Sequence, residues 1–187
     1  MRLNVRFAGA GGQGIIRSSV LLATAYGLGE DYNVSQTQSY GPEARGGACK
    51  AEVVVSDEDI DYMKVDQADV FIAYNQMGYD KYCSNLGPDS TVLVNSTLVN
   101  ASNREHYDIP GTQIAEEMGQ PMTVNMVMLG ALTKLLPRLH YDKMRNAIEE
   151  DFSASIATQN LEAFDKGYEY MAELLRQKSA ENGELTA

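Results

Sequence analysis

Two short stretches carry the residues that could do chemistry. The first is Gly9-Ala10-Gly11-Gly12-Gln13-Gly14, in which Gly9, Gly11 and Gly14 fit G-x-G-x-x-G. The pattern follows an alternating apolar run, Leu3, Val5 and Phe7, and precedes Ile15 to Ala23, whose apolar residues recur at helical spacing. Strand, glycine turn and helix together are the context in which such a motif binds phosphate. One glycine would permit the sharp turn, one would let an anion approach bare backbone, and one would let helix and strand pack closely. The helix N-terminus would add unpaired N–H groups and partial positive charge. A tight turn between strand and helix that binds nothing has the same pattern. The second stretch, Ser39-Tyr40-Gly41-Pro42-Glu43-Ala44-Arg45-Gly46-Gly47, reads as a loop from its Gly-Pro and Gly-Gly pairs. Arg45 could pair bidentately with a phosphate or carboxylate, or form an internal ion pair with Glu43 or Glu52. Tyr40 could stack on a ligand ring or pack on its own loop. The candidate ligand-binding residues are therefore Gly9, Gly11, Gly12, Gln13, Gly14, Tyr40, Arg45 and Gly46.

The elements needed to hold these loops can be read along the chain. A short second strand is expected over 32–37. An NAD site would close that strand with an acidic residue for the ribose hydroxyls, yet Gln36, Thr37 and Gln38 stand there. Residues 48–56 alternate as a half-buried strand, with Ala48, Lys50, Glu52, Val54 and Ser56 on one face. Residues 68–74 form an apolar run suited to a central strand, and 91–94 another. Asn75-Gln76 and Asn95-Ser96-Thr97 would sit at carboxyl ends, where open α/β sheets place ligands. A helix is expected over 77–86 and a turn at Gly87-Pro88-Asp89. Further helices are expected over 113–118, 123–136, 141–152 and 160–175. The helix over 123–136 is apolar nearly all round, hence buried, and its methionines would also suit an interface between copies. The fold class is α/β, Rossmann-like, with a mostly parallel sheet flanked by helices. A single domain over 1–176 would carry a helical C-terminal part, followed by a polar, flexible tail over 177–187. If the sheet is parallel, both loops leave its carboxyl edge and face the same ligand or partner.

Composition narrows the function. A net charge of −11 over 187 residues argues against general binding to nucleic acid or acidic membranes. Two cysteines, Cys49 and Cys83, are too few for an Fe–S cluster or a structural zinc site and fit reduced cytosolic thiols. His106 and His140 stand apart from any nucleophile or ligand pattern. No G-K-[ST] follows the glycines, no metalloprotease motif occurs, and no run reaches the length of a membrane span or forms a secretory leader. No catalytic residue and no metal site is therefore assigned, and a cytoplasmic location is expected.

Five segments carry a family resemblance: Gly-Ala-Gly-Gly-Gln-Gly-Ile-Ile at 9–16, Gln-Ser-Tyr-Gly-Pro-Glu-Ala-Arg-Gly-Gly-Ala at 38–48, Ala-Asp-Val at 68–70, Ile-Pro-Gly-Thr at 109–112 and Asn-Met-Val-Met-Leu-Gly-Ala at 125–131. Together they resemble the gamma subunit of 2-oxoacid:ferredoxin oxidoreductases, from residue 3 to residue 176. The form of the second loop is closer to 2-oxoglutarate-type than to pyruvate-type enzymes, and indolepyruvate oxidoreductases carry similar loops. The resemblance implies one part of a larger enzyme, with alpha, beta and in some complexes delta subunits as partners. Thiamine diphosphate, magnesium and Fe–S clusters would reside in those partners, with coenzyme A as co-substrate and ferredoxin as electron acceptor. This chain would pack against the alpha subunit and help shape the coenzyme A approach, and in isolation would self-associate. The alternatives are a stand-alone Rossmann-type oxidoreductase binding NAD or a flavin, a beta-type indolepyruvate oxidoreductase subunit, and a purely structural interaction module.

Overall fold

The alternation at Leu3, Val5 and Phe7 becomes β1, Arg2–Ala10, in a computed structural model that describes residues 1–28, 32–39, 47–102 and 104–184, with side chains to residue 181. After the glycine turn comes α1, Ile15–Gly27. The chain then runs through β2, Asn33–Ser39, β3, Ala48–Ser56, and β4, Ala68–Ala73. Next are α2, Gln76–Tyr82, β5, Leu86–Asn95, and β6, Tyr107–Ile109. The C-terminal part holds α3, Gly111–Glu117, a 3₁₀ turn at Pro121–Thr123, α4, Val124–Leu135, α5, Tyr141–Asp151, and α6, Ala154–Glu184.

The six strands form one sheet in the order β2-β3-β1-β4-β5-β6. β1, β4, β5 and β6 are parallel neighbours, while β3 runs antiparallel to both β1 and β2. Five strands thus point one way and β3 alone runs against them. The expected α/β architecture, mostly parallel, is present, with one insertion that periodicity does not reveal. β2 and β3 make a hairpin, and β3 separates β2 from β1. The residues 40–47 that connect this hairpin leave the same sheet edge as the glycine turn, because Ala48 registers with Ala10 and Lys50 with Ser39.

Apolar side chains cover both faces of the sheet. On one face Val5, Phe7, Val53 and Ile72 pack beneath α1, α4 and α6; on the other Ala8, Val54, Phe71 and Val92 pack with Tyr79 of α2. β3 is buried more fully than a half-buried strand. Its Glu52 is accommodated in the interior because Arg6 on β1 donates from Nε at 2.7 Å, with Lys50 Nζ at 2.8 Å. Arg6 also donates to the Val65 carbonyl at 2.6 Å, so each charge is paired and hydrogen-bonded, as burial demands.

Several element boundaries differ from expectation. α2 ends at Tyr82, and Gly87-Pro88-Asp89 lies inside β5, where the register with β4 shifts between Ala68 and Val70. A bulge absorbs the turn-forming residues without ending the strand. β6, three residues long, is too short to give a period. α6 starts before residue 160 and continues through the polar residues 177–184. Met126 and Met128 of α4 are fully buried within the chain, so they supply no surface to a second copy. α4 lies against α6 where Gly130 faces the Phe164 carbonyl and Gly167 faces the Val127 carbonyl, with no room for a Cβ at either. Among the described residues no helix is long and apolar enough to cross a membrane.

Candidate functional site

The glycine turn is built from four glycines with different work. Gly9 ends the strand in a crowded corner: a Cβ there would lie 2.7 Å from Gln13 Oε1, 3.1 Å from Tyr74 Cβ and 3.2 Å from Ile15 Cγ2. Gly9 is thus the close-packing glycine. Gly12 and Gly14 take the left-handed backbone, at φ 90° and 75°, which costs a side-chain-bearing residue on the order of 1–2 kcal/mol. Gly11 has no atom within 4 Å of its would-be Cβ and is exposed. Gln13 braces the turn from inside: its Oε1 accepts from Ala10 N–H at 2.8 Å and its own N–H donates to the Ala10 carbonyl at 3.2 Å.

Helix α1 starts at this turn without a side-chain cap. Gly14 is its N-cap and no acidic residue stands in the first turn. The first intrahelical bond is Ser18 N–H to the Gly14 carbonyl, which leaves the N–H groups of Ile15, Ile16 and Arg17 ahead of the ladder. Beside them opens a cleft of about 570 Å³, bounded by the glycine turn, the start of α4 and the α5–α6 junction. A volume of that size suits a small-molecule ligand. α4 also begins here, and its N-cap Thr123 turns its hydroxyl away to the Gln120 carbonyl. Two helix N-termini therefore meet at one cleft. Among its described lining residues there is one cation, Arg17, and no carboxylate. The Arg17 guanidinium lies 4.6 Å over the Phe152 ring, with Nε 3.5 Å from Asp151 Oδ2. Leu98, Met122 and Ile156 form an exposed apolar lip, Met122 at 84% exposure.

The floor is rigid. Tyr74 is wholly buried and its hydroxyl donates to Ser18 Oγ at 3.1 Å; burial pushes this phenol well above its ordinary pKa and keeps it neutral. Asn95 donates to the Tyr74 carbonyl at 3.3 Å and to Thr112 Oγ1 at 2.8 Å, while its Oδ1 accepts from Thr112 N–H at 3.2 Å. Asn75 Oδ1 accepts from Gly78 N–H at 2.8 Å and caps α2. The polar residues at these strand ends are thus consumed in holding the framework. Asn125, on the first turn of α4, differs. It is 7% exposed and lines the cleft, and its side-chain amide has no hydrogen-bond partner among the described residues; it differs from the fully buried, unpartnered Gln120 Oε1 in keeping access to the cleft. Its Nδ2 lies 2.6 Å from the position a Gly14 Cβ would take.

Of the residues singled out from sequence, Gly12, Gln13 and Gly14 line the cleft, Gly9 lies behind the turn and Gly11 is exposed on it. Tyr40, Arg45 and Gly46 lie outside the described residues. Arg17 and Asn125 are the functional candidates that sequence reasoning passed over. Arg17 could have been found as the cation in the first turn after the glycines. Asn125 sits in the first turn of a helix that is apolar from Met126 to Leu132, where a lone amide is the signal. Among the described residues no three His, Cys, Asp or Glu side chains converge on a point. The sheet order also counts against a dinucleotide site of the NAD kind. β2 stands two strands from β1, about 10 Å at the usual strand spacing, so its end could not carry a carboxylate to a ribose lying over the glycine turn.

A family model described as pyruvate ferredoxin/flavodoxin oxidoreductase matches residues 4–170. The chain is 44% identical over 180 residues to the 2-oxoglutarate synthase subunit KorC of Methanocaldococcus jannaschii, covering 93% of this chain and 96% of that one. It is 40% identical over 167 residues to the KorC of Archaeoglobus fulgidus, covering 89% and 87%. The fold superimposes on the gamma subunit of a keto/oxoacid ferredoxin oxidoreductase from Geobacter sulfurreducens with a TM-score of 0.82 at 31% identity, over 92% of this chain and 98% of that one. It also matches 31% of a longer chain, covering 92% of this one, with a TM-score of 0.80 at 28% identity. That chain belongs to a 2-oxoglutarate:ferredoxin oxidoreductase from Magnetococcus marinus with 2-oxoglutarate, coenzyme A and succinyl-CoA bound.

Proposed function

The chain belongs to the pyruvate ferredoxin/flavodoxin oxidoreductase family, and from that premise we propose that it is the gamma-type subunit of a cytoplasmic 2-oxoglutarate:ferredoxin oxidoreductase. The complex converts 2-oxoglutarate, coenzyme A and oxidised ferredoxin to succinyl-CoA, carbon dioxide and reduced ferredoxin. The observation that carries this assignment is the 44% identity to a 2-oxoglutarate synthase subunit along nearly the full length of both chains.

The division of labour follows from what this chain offers. Its cysteines, one buried and one partly exposed, provide too few thiolates for a cluster. Thiamine diphosphate, magnesium and the Fe–S clusters are assigned to the alpha, beta and, where present, delta subunits. Those groups supply the carbon and electron chemistry. This chain's residues bind and orient. The turn at Gly11, Gly12 and Gly14, packed from behind at Gly9 and braced by Gln13, presents backbone amides to a phosphate of coenzyme A. Tyr40, Arg45 and Gly46 contribute from the neighbouring loop, whose stems flank the turn. Leu98, Met122 and Ile156 form apolar surface for a partner subunit and, in the isolated chain, for self-association.

The test is reconstitution. Alpha and beta subunits are purified with and without this chain, and ferredoxin reduction is followed with 2-oxoglutarate and coenzyme A. Activity is expected only with all subunits, and none from this chain alone. Full activity of the complex lacking this chain, or turnover by the isolated chain, overturns the assignment.

A further inference from the structure

In a protein with 26 acidic and 15 basic side chains, the described lining of this cleft holds none of the former and one of the latter. Two helix N-termini open into it, from α1 of 13 residues and α4 of 12. Neither is capped by a side chain. Both add partial positive charge at the same place, which favours an anion. The residue between them is Asn125. The side-chain amide of a residue only 7% exposed normally finds partners within the protein. Asn75 and Asn95 do so at the ends of β4 and β5, but Asn125 does not. A carboxylate in its place would repel an anion, and an apolar residue would offer no donor. An amide supplies two N–H donors without a charge to be neutralised when the cleft is empty.

We propose that Asn125 is the side-chain recognition element for a phosphate ester in this cleft, donating from Nδ2 to a phosphoryl oxygen that the first-turn amides of α1 hold from the other side. The ester character follows from shape. A cleft of about 570 Å³ far exceeds a lone phosphate, and its outer part is the apolar lip of Leu98, Met122 and Ile156. The ligand is thus an anion carrying an organic arm, with Arg17 at the rim as a second contact. This assignment rests on the placing of coenzyme A at the glycine turn, and adds the residue that selects its phosphate.

The test uses the assembled complex for affinity and the isotope-labelled full chain for contact. Binding of coenzyme A, ADP and pantetheine, which lacks phosphate, is measured for wild type and for Asn125→Asp, a near-isosteric change. Coenzyme A and ADP are expected to bind at least tenfold more weakly to the variant, with pantetheine unchanged. In the wild-type chain, the Asn125 side-chain amide resonance is expected to move on adding coenzyme A or ADP and to stay still with pantetheine. If inorganic phosphate alone reproduces that movement, the proposed contact stands and the arm is dispensable. Wild-type affinity in a folded variant, or an amide resonance unmoved by saturating coenzyme A, overturns the role of Asn125. The glycine-turn amides separate the two claims. If they respond while Asn125 does not, coenzyme A sits at the turn and only the selector is wrong. If coenzyme A binds the complex and neither responds, the placing itself fails.

Discussion

Glycine marks two regions of this molecule, and it does opposite things in them. At the crossing of α4 and α6, Gly130 and Gly167 bring backbone against backbone, and a single added carbon at either would strike a carbonyl. At the turn after β1, Gly11 and Gly12 have nothing within 4 Å of a would-be Cβ. The first pair is glycine because the space is full. The second is glycine although the space is empty, and only Gly12, with φ 90°, is explained by its backbone angle. Room left open beside unpaired helix amides differs from room consumed by packing: the first can admit a ligand and the second cannot.

Substitution can test that contrast. The largest loss should come from Gly130→Ala. Its methyl would meet rigid backbone, so a cost of about 3 kcal/mol or more is expected. In a domain of this size that is a fall of roughly 6–12 °C in melting temperature, read by calorimetry. An unchanged melting temperature would dissolve the distinction. Gly14→Ala should rank second, because it combines φ 75° with the nearby Asn125 amide. The backbone alone costs about 1–2 kcal/mol, and coenzyme A affinity of the complex should fall with it. If Arg45 serves the ligand and not the fold, Arg45→Ala should leave the melting temperature within about 2 °C. It should weaken coenzyme A by roughly tenfold or more, the worth of one charge-assisted hydrogen bond, measured by titration of the assembled complex. Gly11→Ala sharpens the comparison most: stability within about 0.5 kcal/mol of wild type, with weaker coenzyme A binding. If both are unchanged, the turn is only a turn.

A smaller effect concerns pH. The pKa of Tyr74 is raised above its reference value of 10.0 by burial. In the unfolded chain the phenol ionises first, so stability is full below pH 10 and declines as pH rises beyond it. Tyr26, also raised mainly by burial, adds to the same decline. Tyr74→Phe should flatten the alkaline slope of melting temperature against pH, while losing about 1 kcal/mol near neutrality with the Ser18 hydrogen bond. A variant with the wild-type alkaline slope would show that Tyr74 is not the group responsible.

The glycine turn was legible because its signal is local: strand, turn and helix lie within one run of residues. β4 and the buried α4 were legible because continuous apolar runs need covering on both sides. The insertion of β3 was not, since strand order depends on pairing between distant segments such as Val5 with Val53 and with Val70. Glu52 shares one face of an alternating strand with Lys50 and Ser56, and the side chain that makes its burial tolerable lies 46 residues away. Asn125 was hidden in the same way. Its significance comes from a missing partner, a property of the packed chain and not of its neighbours in sequence.

The long β1–β3 ladder runs unbroken from Arg2 opposite Ser56 to Ala10 opposite Ala48. Its far end therefore clamps one root of the hairpin loop to the residue where the glycine turn begins, and β2 clamps the other root through Ser39 opposite Lys50. The loop can thus be rewritten, lengthened or shortened between two fixed posts without shifting any strand. Substitutions between the posts are therefore expected to leave the register of the sheet, and the start of the glycine turn, where they are.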